Sequence, residues 1–123
     1  MITIKDSVKR IEVTYPKGKK DVLSFDIGNQ MQLQSWISQI VKLQESGKFE
    51  YTNDNVLSEF IKQIEAVCVS VFGQKQWDKF WKRSCQNVDG AIEMLIEVFK
   101  ICNKAIEDMK TTIEKIGTIK KGA

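Results

Sequence analysis

Residues 11–27 read IEVTYPKGKKDVLSFDI, and this stretch sets the fold class. Apolar and polar side chains alternate on both sides of a turn that contains Pro16 and Gly18. Two alternating runs around a short glycine-containing turn predict a β-hairpin with one buried face. An isolated hairpin is not stable in water, so it must pack on an apolar surface elsewhere in the chain. The side chains expected on its buried face are Ile11, Val13, Tyr15, Leu23, Phe25 and Ile27.

In the rest of the chain, apolar residues recur at three- and four-residue steps, which predicts helices. The first helix is expected to have Asn29 as its N-cap and to stop at Gly47. The linker KFEYTNDN follows, and its residues 53–55 offer caps for a second helix. Gly73 closes that helix, since glycine takes the left-handed conformation at low cost.

A short helix and a polar QNVDG loop then precede the longest helix, at about residues 89–116. The predicted fold is therefore α+β, with an N-terminal β-hairpin packed on a mostly helical bundle of about four helices. The length of 123 residues favours a single domain, 1–123, large enough to bury a core without disulfides or metals. Within it we expect the hairpin at 1–28, the helices at 29–117 and a flexible tail at 118–123.

Composition excludes several classes of protein. The net charge of +3 is weak for a dedicated duplex-DNA binder. No stretch has the length of apolar sequence that a membrane span needs, and the N-terminus MITIKDSVKR lacks the apolar centre of a signal peptide. The expected location is the cytoplasm, with no membrane partner.

The residues that usually carry catalysis or bind metals are scarce. Histidine is absent, which removes the commonest general base and every histidine-containing zinc site. The three cysteines, Cys68, Cys85 and Cys102, form no CxxC pair and are interpreted as reduced apolar side chains. A reactive thiol at Cys85, beside Lys82 and Arg83, is the alternative. We predict no catalytic residue, no metal, no cofactor and no enzyme activity.

Residues 71–85, VFGQKQWDKFWKRSC, combine aromatic and basic side chains. Trp77, Phe80 and Trp81 share one face of a helix, which favours a role in the core. On that interpretation Trp81→Ala should cost about 3 kcal/mol or more. The alternative is a single-stranded nucleic-acid-binding segment at residues 75–83, in which bases stack on the aromatic rings and phosphates contact the basic side chains. Those basic residues are Lys75, Lys79, Lys82 and Arg83.

The longest helix carries more apolar surface than one stripe needs. A second stripe is formed by Met94, Val98, Ile101 and Ala105. One small domain need not cover it fully, so these four residues are the candidate partner-binding surface. The opposing interpretation is that the hairpin and the first helix bury them.

The chain resembles the tail assembly chaperones of long-tailed bacteriophages and their prophages. The resemblance rests on a short N-terminal hairpin entering a helix and on Val71-Phe72-Gly73 followed by Trp77-Asp78-Lys79. A closing helix that starts near Asp89 is the third feature.

The resemblance implies a non-enzymatic protein in the bacterial host cytoplasm. Its implied partners are the tape measure protein, the tail tube protein and further copies of itself.

Overall fold

The computed structural model describes residues 1–47 and 54–122 and confirms the α+β class. A two-stranded antiparallel hairpin is followed by four helices. The elements are β1 Val8–Thr14, β2 Lys20–Asp26, α1 Gln30–Ser46, α2 Asp54–Phe72, α3 Gln74–Arg83 and α4 Val88–Gly122.

The hairpin pairs Ile11 with Leu23, so the alternating apolar side chains lie on one face as predicted. Tyr15, Leu23 and Phe25 are buried. At the turn, Lys17 and Gly18 both have positive φ, at 68° and 79°. Glycine adopts a positive φ readily, whereas lysine seldom does, so Lys17 has an uncommon backbone conformation at the tip of the hairpin.

The hairpin packs on the helices through aromatic contacts. Phe25 meets Trp36 of α1 and Phe72 of α2 edge-on, with ring centroids 6.1 and 5.6 Å apart. Trp36 donates its indole N–H to Ser70 at 3.1 Å, and Trp77 donates its own to Glu65 at 3.2 Å. Both tryptophans therefore bury their rings without leaving the N–H unpaired.

The predicted helix boundaries are confirmed at three positions. The Asn29 side chain accepts from the Gln32 N–H at 3.3 Å and caps α1, which ends at Gly47. Gly73 separates α2 from α3 as predicted, but its φ of 87° and ψ of 158° lie outside the left-handed helical conformation that was expected. Asp54, one of the three candidate caps, is instead the first residue of α2. Asn53 and the rest of the linker at 48–53 lie outside the described residues.

Helix α4 differs from the prediction at its C-terminal end. We expected a flexible tail at 118–123, but the helix continues to Gly122, and Ala123 lies outside the described residues. Gly117 stays inside the helix, where one glycine costs only about 1 kcal/mol relative to alanine. Across residues 1–47 and 54–122, no helix is long and apolar enough to cross a membrane.

Candidate protein-interaction surfaces

The structure divides the four residues of the predicted partner-binding stripe. Met94 and Val98 are buried in the core, whereas Ile101 and Ala105 are half-buried. The hairpin residues Ile11, Val13 and Ile27 pack against the core on this side of α4. A partner therefore reaches only Ile101 and Ala105 of the stripe unless the hairpin moves away.

The uncovered apolar surface lies on another side of α4. A cleft of about 520 Å³ runs between α1, α2 and α4. None of the described side chains that line it is charged. Val41 and Ile96 are 47% and 45% exposed at its edge, so part of this apolar lining is open to solvent. We refer to this cavity and its lining as the cleft. The lining includes Ile40, Val41, Leu43, Phe60, Ile64, Ile92, Leu95, Ile96 and Phe99.

A second uncovered apolar surface lies further along α4. Met109, Ile113 and Ile116, which we call the ridge, follow one another at four- and three-residue steps. Ile113 and Ile116 are 54% and 60% exposed, and Met109 is half-buried. Among the described residues of α4, Ile106 is the last buried side chain. Residues 107–119 are therefore exposed or half-buried along about three and a half turns of the helix.

The aromatic residues of α3 face the core, as predicted. Trp77 and Phe80 are buried, and Trp81 is half-buried with its ring stacked on Trp77 at a centroid distance of 5.0 Å. Trp77 and Phe80 are therefore not free to stack with bases, and Trp81 has one ring face against Trp77. The aromatic stacking in the nucleic-acid hypothesis is reduced to Trp81.

The basic residues of α3 lie on its exposed face and meet the basic tip of the hairpin. Asp21 joins the two, because Lys79 and Arg83 reach its carboxylate at 3.3 and 3.0 Å. Residues 17–21 and 74–83, the hairpin tip and α3, hold seven of the chain's 19 basic residues and two of its 16 acidic residues, Asp21 and Asp78. The remaining chain has twelve basic and fourteen acidic residues, so the charge is unevenly distributed. The seven, which we call the basic end, are Lys17, Lys19, Lys20, Lys75, Lys79, Lys82 and Arg83.

Beneath the basic end, Tyr15 and Asp21 form a shielded polar pair. Both the Tyr15 hydroxyl and Asp21 Oδ2 are buried, and no group of the described residues meets the distance and angle limits of a hydrogen bond to either atom. Burial and the neighbouring Asp21 nonetheless raise the pKa of Tyr15 to about 12. Burial opposes the ionisation of Asp21, but Tyr15, Lys79 and Arg83 outweigh it and hold its pKa below the usual value. Since an unpaired buried polar atom costs about 1–3 kcal/mol, we assign a hydrogen bond from Tyr15 to Asp21.

The cysteines fall into two environments, and none forms a disulfide. Burial raises the pKa of Cys68 to about 12 and that of Cys102 to about 11, so both thiols stay protonated at neutral pH. Cys85 is exposed and has a positive φ of 58°, at the corner between α3 and α4. It does not share the apolar environment expected of all three. The described residues contain no group of three or more side chains suited to a metal ion.

Gln76 is a structural residue that the sequence pattern did not reveal. Its side chain accepts from the Ser24 N–H at 2.8 Å and donates to the Ser24 carbonyl at 2.9 Å and the Phe72 carbonyl at 2.7 Å. Gln76 therefore pairs with the backbone N–H and carbonyl of Ser24 in β2 and connects α3 to the hairpin. Gln74 and Lys75 are also polar and lie in the same stretch between Phe72 and Trp77, so no pattern in the sequence singles out Gln76.

Comparisons of the chain with protein-family models, curated proteins and solved structures found no match.

Proposed function

We propose that this protein acts without catalysis, as a tail assembly chaperone that holds a helical segment of the tape measure protein in the cleft. The observation that carries the proposal is the cleft itself, with its apolar, uncharged lining from three helices. The order of hairpin, helices and VFG…WDK corner supports the narrower assignment to phage tails.

The shape and chemistry of the cleft favour a helix as the bound element. An amphipathic helix places apolar side chains at i, i+3 or i+4, and i+7, and such a row fits a groove between helices. An uncharged lining accepts these side chains and rejects charged ones, because burying an unpaired charge is costly. A long helical protein with exposed apolar stripes is the matching client. In this proposal the tail tube protein is a second partner, and the protein acts in the bacterial host cytoplasm.

The test is co-expression with a tape measure protein, the long helical client that this proposal names. Wild-type protein should keep the client in solution and co-purify with it. Ile96→Glu, which places a charge at the edge of the cleft, should abolish both effects. Met31→Glu is the matched control. Met31 is an exposed apolar residue at the N-terminal end of α1, whereas the C-terminal half of that helix lines the cleft. Equal binding by both variants would show that the cleft does not carry the interaction.

Nucleic-acid binding is the second candidate, and the basic end favours it. With Trp77 and Phe80 buried, such binding would rest mainly on phosphate contacts, and its affinity would fall steeply with salt. Filter binding of single-stranded DNA at two salt concentrations separates the two functions. A salt-sensitive affinity that Lys75→Gln and Lys82→Gln abolish would favour this candidate.

A further inference from the structure

We propose that the outer edge of β1, together with a groove beside it, binds an extended basic peptide, which adds to the hairpin as a third strand. The peptide is held by main-chain hydrogen bonds to β1 and by glutamate side chains at the groove. This groove and the cleft have none of their described lining residues in common. The inference is therefore independent of the proposed function.

The hydrogen bonds of the hairpin show which backbone groups of β1 face outward. At one end of the hairpin, the Ile27 N–H donates to the Ser7 carbonyl at 3.0 Å. At the other end, the Tyr15 N–H donates to the Lys19 carbonyl at 2.7 Å. Hydrogen-bonded and non-hydrogen-bonded pairs alternate along an antiparallel ladder, so the odd-numbered residues of β1 bond to β2. The N–H and carbonyl groups of the even-numbered residues, from 8 to 14, therefore point away from β2.

Parts of the two sheet edges are already occupied. The outward N–H of Val8 bonds to the Asp6 side chain at 3.0 Å. On the opposite edge, Gln76 pairs with both backbone groups of Ser24. In the part of the chain that the structure describes, three residues of β1 have no hydrogen-bond partner for their outward backbone groups. They are Arg10, Glu12 and Thr14.

Nothing in the geometry of β1 blocks a further strand at this edge. The strand contains no proline, and its seven residues pair with β2 at consecutive positions without a bulge. Prolines and bulges are two of the features by which proteins prevent pairing at a sheet edge. The edge can therefore accept an extended peptide through main-chain hydrogen bonds.

The groove beside this edge favours basic side chains. It has a volume of about 250 Å³ and lies between β1 and the N-terminal part of α4. Ile11, Val13 and Met94 give it an apolar lining, along which the hydrocarbon stem of a lysine or arginine can lie. All the charged residues in its described lining are glutamates, and they offer carboxylates to the charged end of that side chain. They are Glu12, Glu93 and Glu97.

The carboxylates of the groove are available to a partner. Glu12 and Glu93 have no basic partner within residues 1–47 and 54–122. Glu97 contacts Lys100 at 3.5 Å, but both side chains are more than half-exposed, so this ion pair is weak. A second copy of the chain is a poorer occupant than a basic peptide. Pairing of two β1 edges would bring the glutamates of a second groove beside the first, and like charges repel.

The alternation of side chains along a strand defines a suitable probe peptide. Every second side chain of the added strand faces α4, and these positions should be basic. The peptide TKTKTKT meets this requirement, with threonines on the other face. When its lysines face α4, its threonine residues direct their backbone N–H groups towards β1.

The experiment measures the affinity of fluorescein-labelled TKTKTKT by fluorescence anisotropy. The charge-reversed peptide TETETET should bind at least about tenfold more weakly. N-methylation of the threonine amides should weaken binding by about tenfold or more, because it removes main-chain hydrogen bonds to β1. N-methylation of the lysine amides is the matched control and should have a smaller effect. Hydrogen exchange followed by NMR should show that the peptide slows exchange at Glu12 and Thr14.

Variants of the protein test the groove itself. Glu93→Lys should weaken binding of TKTKTKT by about tenfold, since it replaces an attraction with a repulsion. Glu114→Lys is the matched control, because Glu114 is an exposed residue of the same helix outside the groove. Ile96→Glu, which alters the cleft, should leave this affinity unchanged. Failure of the strand-addition site and failure of the cleft can therefore be told apart.

Four results would overturn the inference. The first is no binding of TKTKTKT, and the second is equal binding of TETETET. The third is an equal effect of the two N-methylated peptides, or of Glu93→Lys and Glu114→Lys. The fourth is exchange at Glu12 that slows with protein concentration in the absence of peptide, since this indicates pairing of β1 with a second copy.

Discussion

Arg83 donates a hydrogen bond to Asp21 at 3.0 Å and so connects the end of α3 to a strand 62 residues earlier in the chain. Lys79 reaches the same carboxylate oxygen at 3.3 Å. The Asp21 side chain is only 13% exposed, and both its Oδ2 atom and the Tyr15 hydroxyl are buried. One carboxylate therefore joins the hairpin to α3 and shields two basic side chains from each other.

Asp21→Asn should lower the melting temperature at pH 7. The folded state holds the pKa of Asp21 below its unfolded value of 3.8, so the carboxylate stabilises the fold above that pH. This contribution is lost as the pH falls through the folded pKa. The melting temperatures of wild type and variant should therefore converge below about pH 3.8. Glu12→Gln, an exposed change on the same hairpin, is the control, and a pH-independent difference for Asp21→Asn would contradict the assignment.

Gln76→Leu should destabilise the protein by about 1–3 kcal/mol, because it leaves the Ser24 N–H and carbonyl and the Phe72 carbonyl without their side-chain partner. Urea unfolding measures the change. Gln74→Leu is the control, since the Gln74 side chain bonds only to the exposed Asp78 among the described residues. Equal effects of the two substitutions would mean that β2 does not depend on Gln76.

Trp77→Ala should be the most destabilising of the single changes in α3, at about 3–5 kcal/mol. Trp77 is 1% exposed and in contact with both Phe80 and Trp81. Trp81→Ala should cost less than the 3 kcal/mol expected from the sequence, because half-burial leaves a smaller cavity. Chemical denaturation of both variants gives the order, and a larger loss for Trp81→Ala would be inconsistent with this packing.

The sequence predicted local features well because their causes are local. Alternation in IEVTY and DVLSFDI specifies the hairpin, and Asn29, Gly47 and Gly73 mark helix ends by their own conformational preferences. The burial of Met94 and Val98 depended on which side of α4 the hairpin covers, and periodicity does not contain that information. The cleft was missed for the same reason, since it depends on how far apart α1, α2 and α4 lie.

Two glycine substitutions should change stability in opposite directions. Gly73→Ala should destabilise the protein by about 1 kcal/mol or more, because its φ of 87° is unfavourable for any side chain. Gly117→Ala should strengthen the end of α4 by about 0.5–1 kcal/mol, since its added Cβ meets nothing within 4 Å and alanine favours the helix. Hydrogen exchange should show more protection near residue 117 in Gly117→Ala, and urea unfolding should show the loss of stability in Gly73→Ala. Loss of protection there would contradict a helical Gly117.

The protein should lose stability between about pH 9 and 12, and Cys68 should account for part of the slope. The unfolded thiol ionises near pH 9, whereas burial raises the folded pKa to about 12. The folded state therefore binds the proton more tightly, and its advantage is complete below pH 9 and declines as the pH rises towards 12. Cys68→Ala should remove about 1.4 kcal/mol per pH unit from the slope of unfolding free energy against pH in this window. Val67→Ala, a change at a buried neighbour that carries no titratable group, is the control and should keep the wild-type slope. An unchanged slope in Cys68→Ala would show that this thiol is not held protonated by the core.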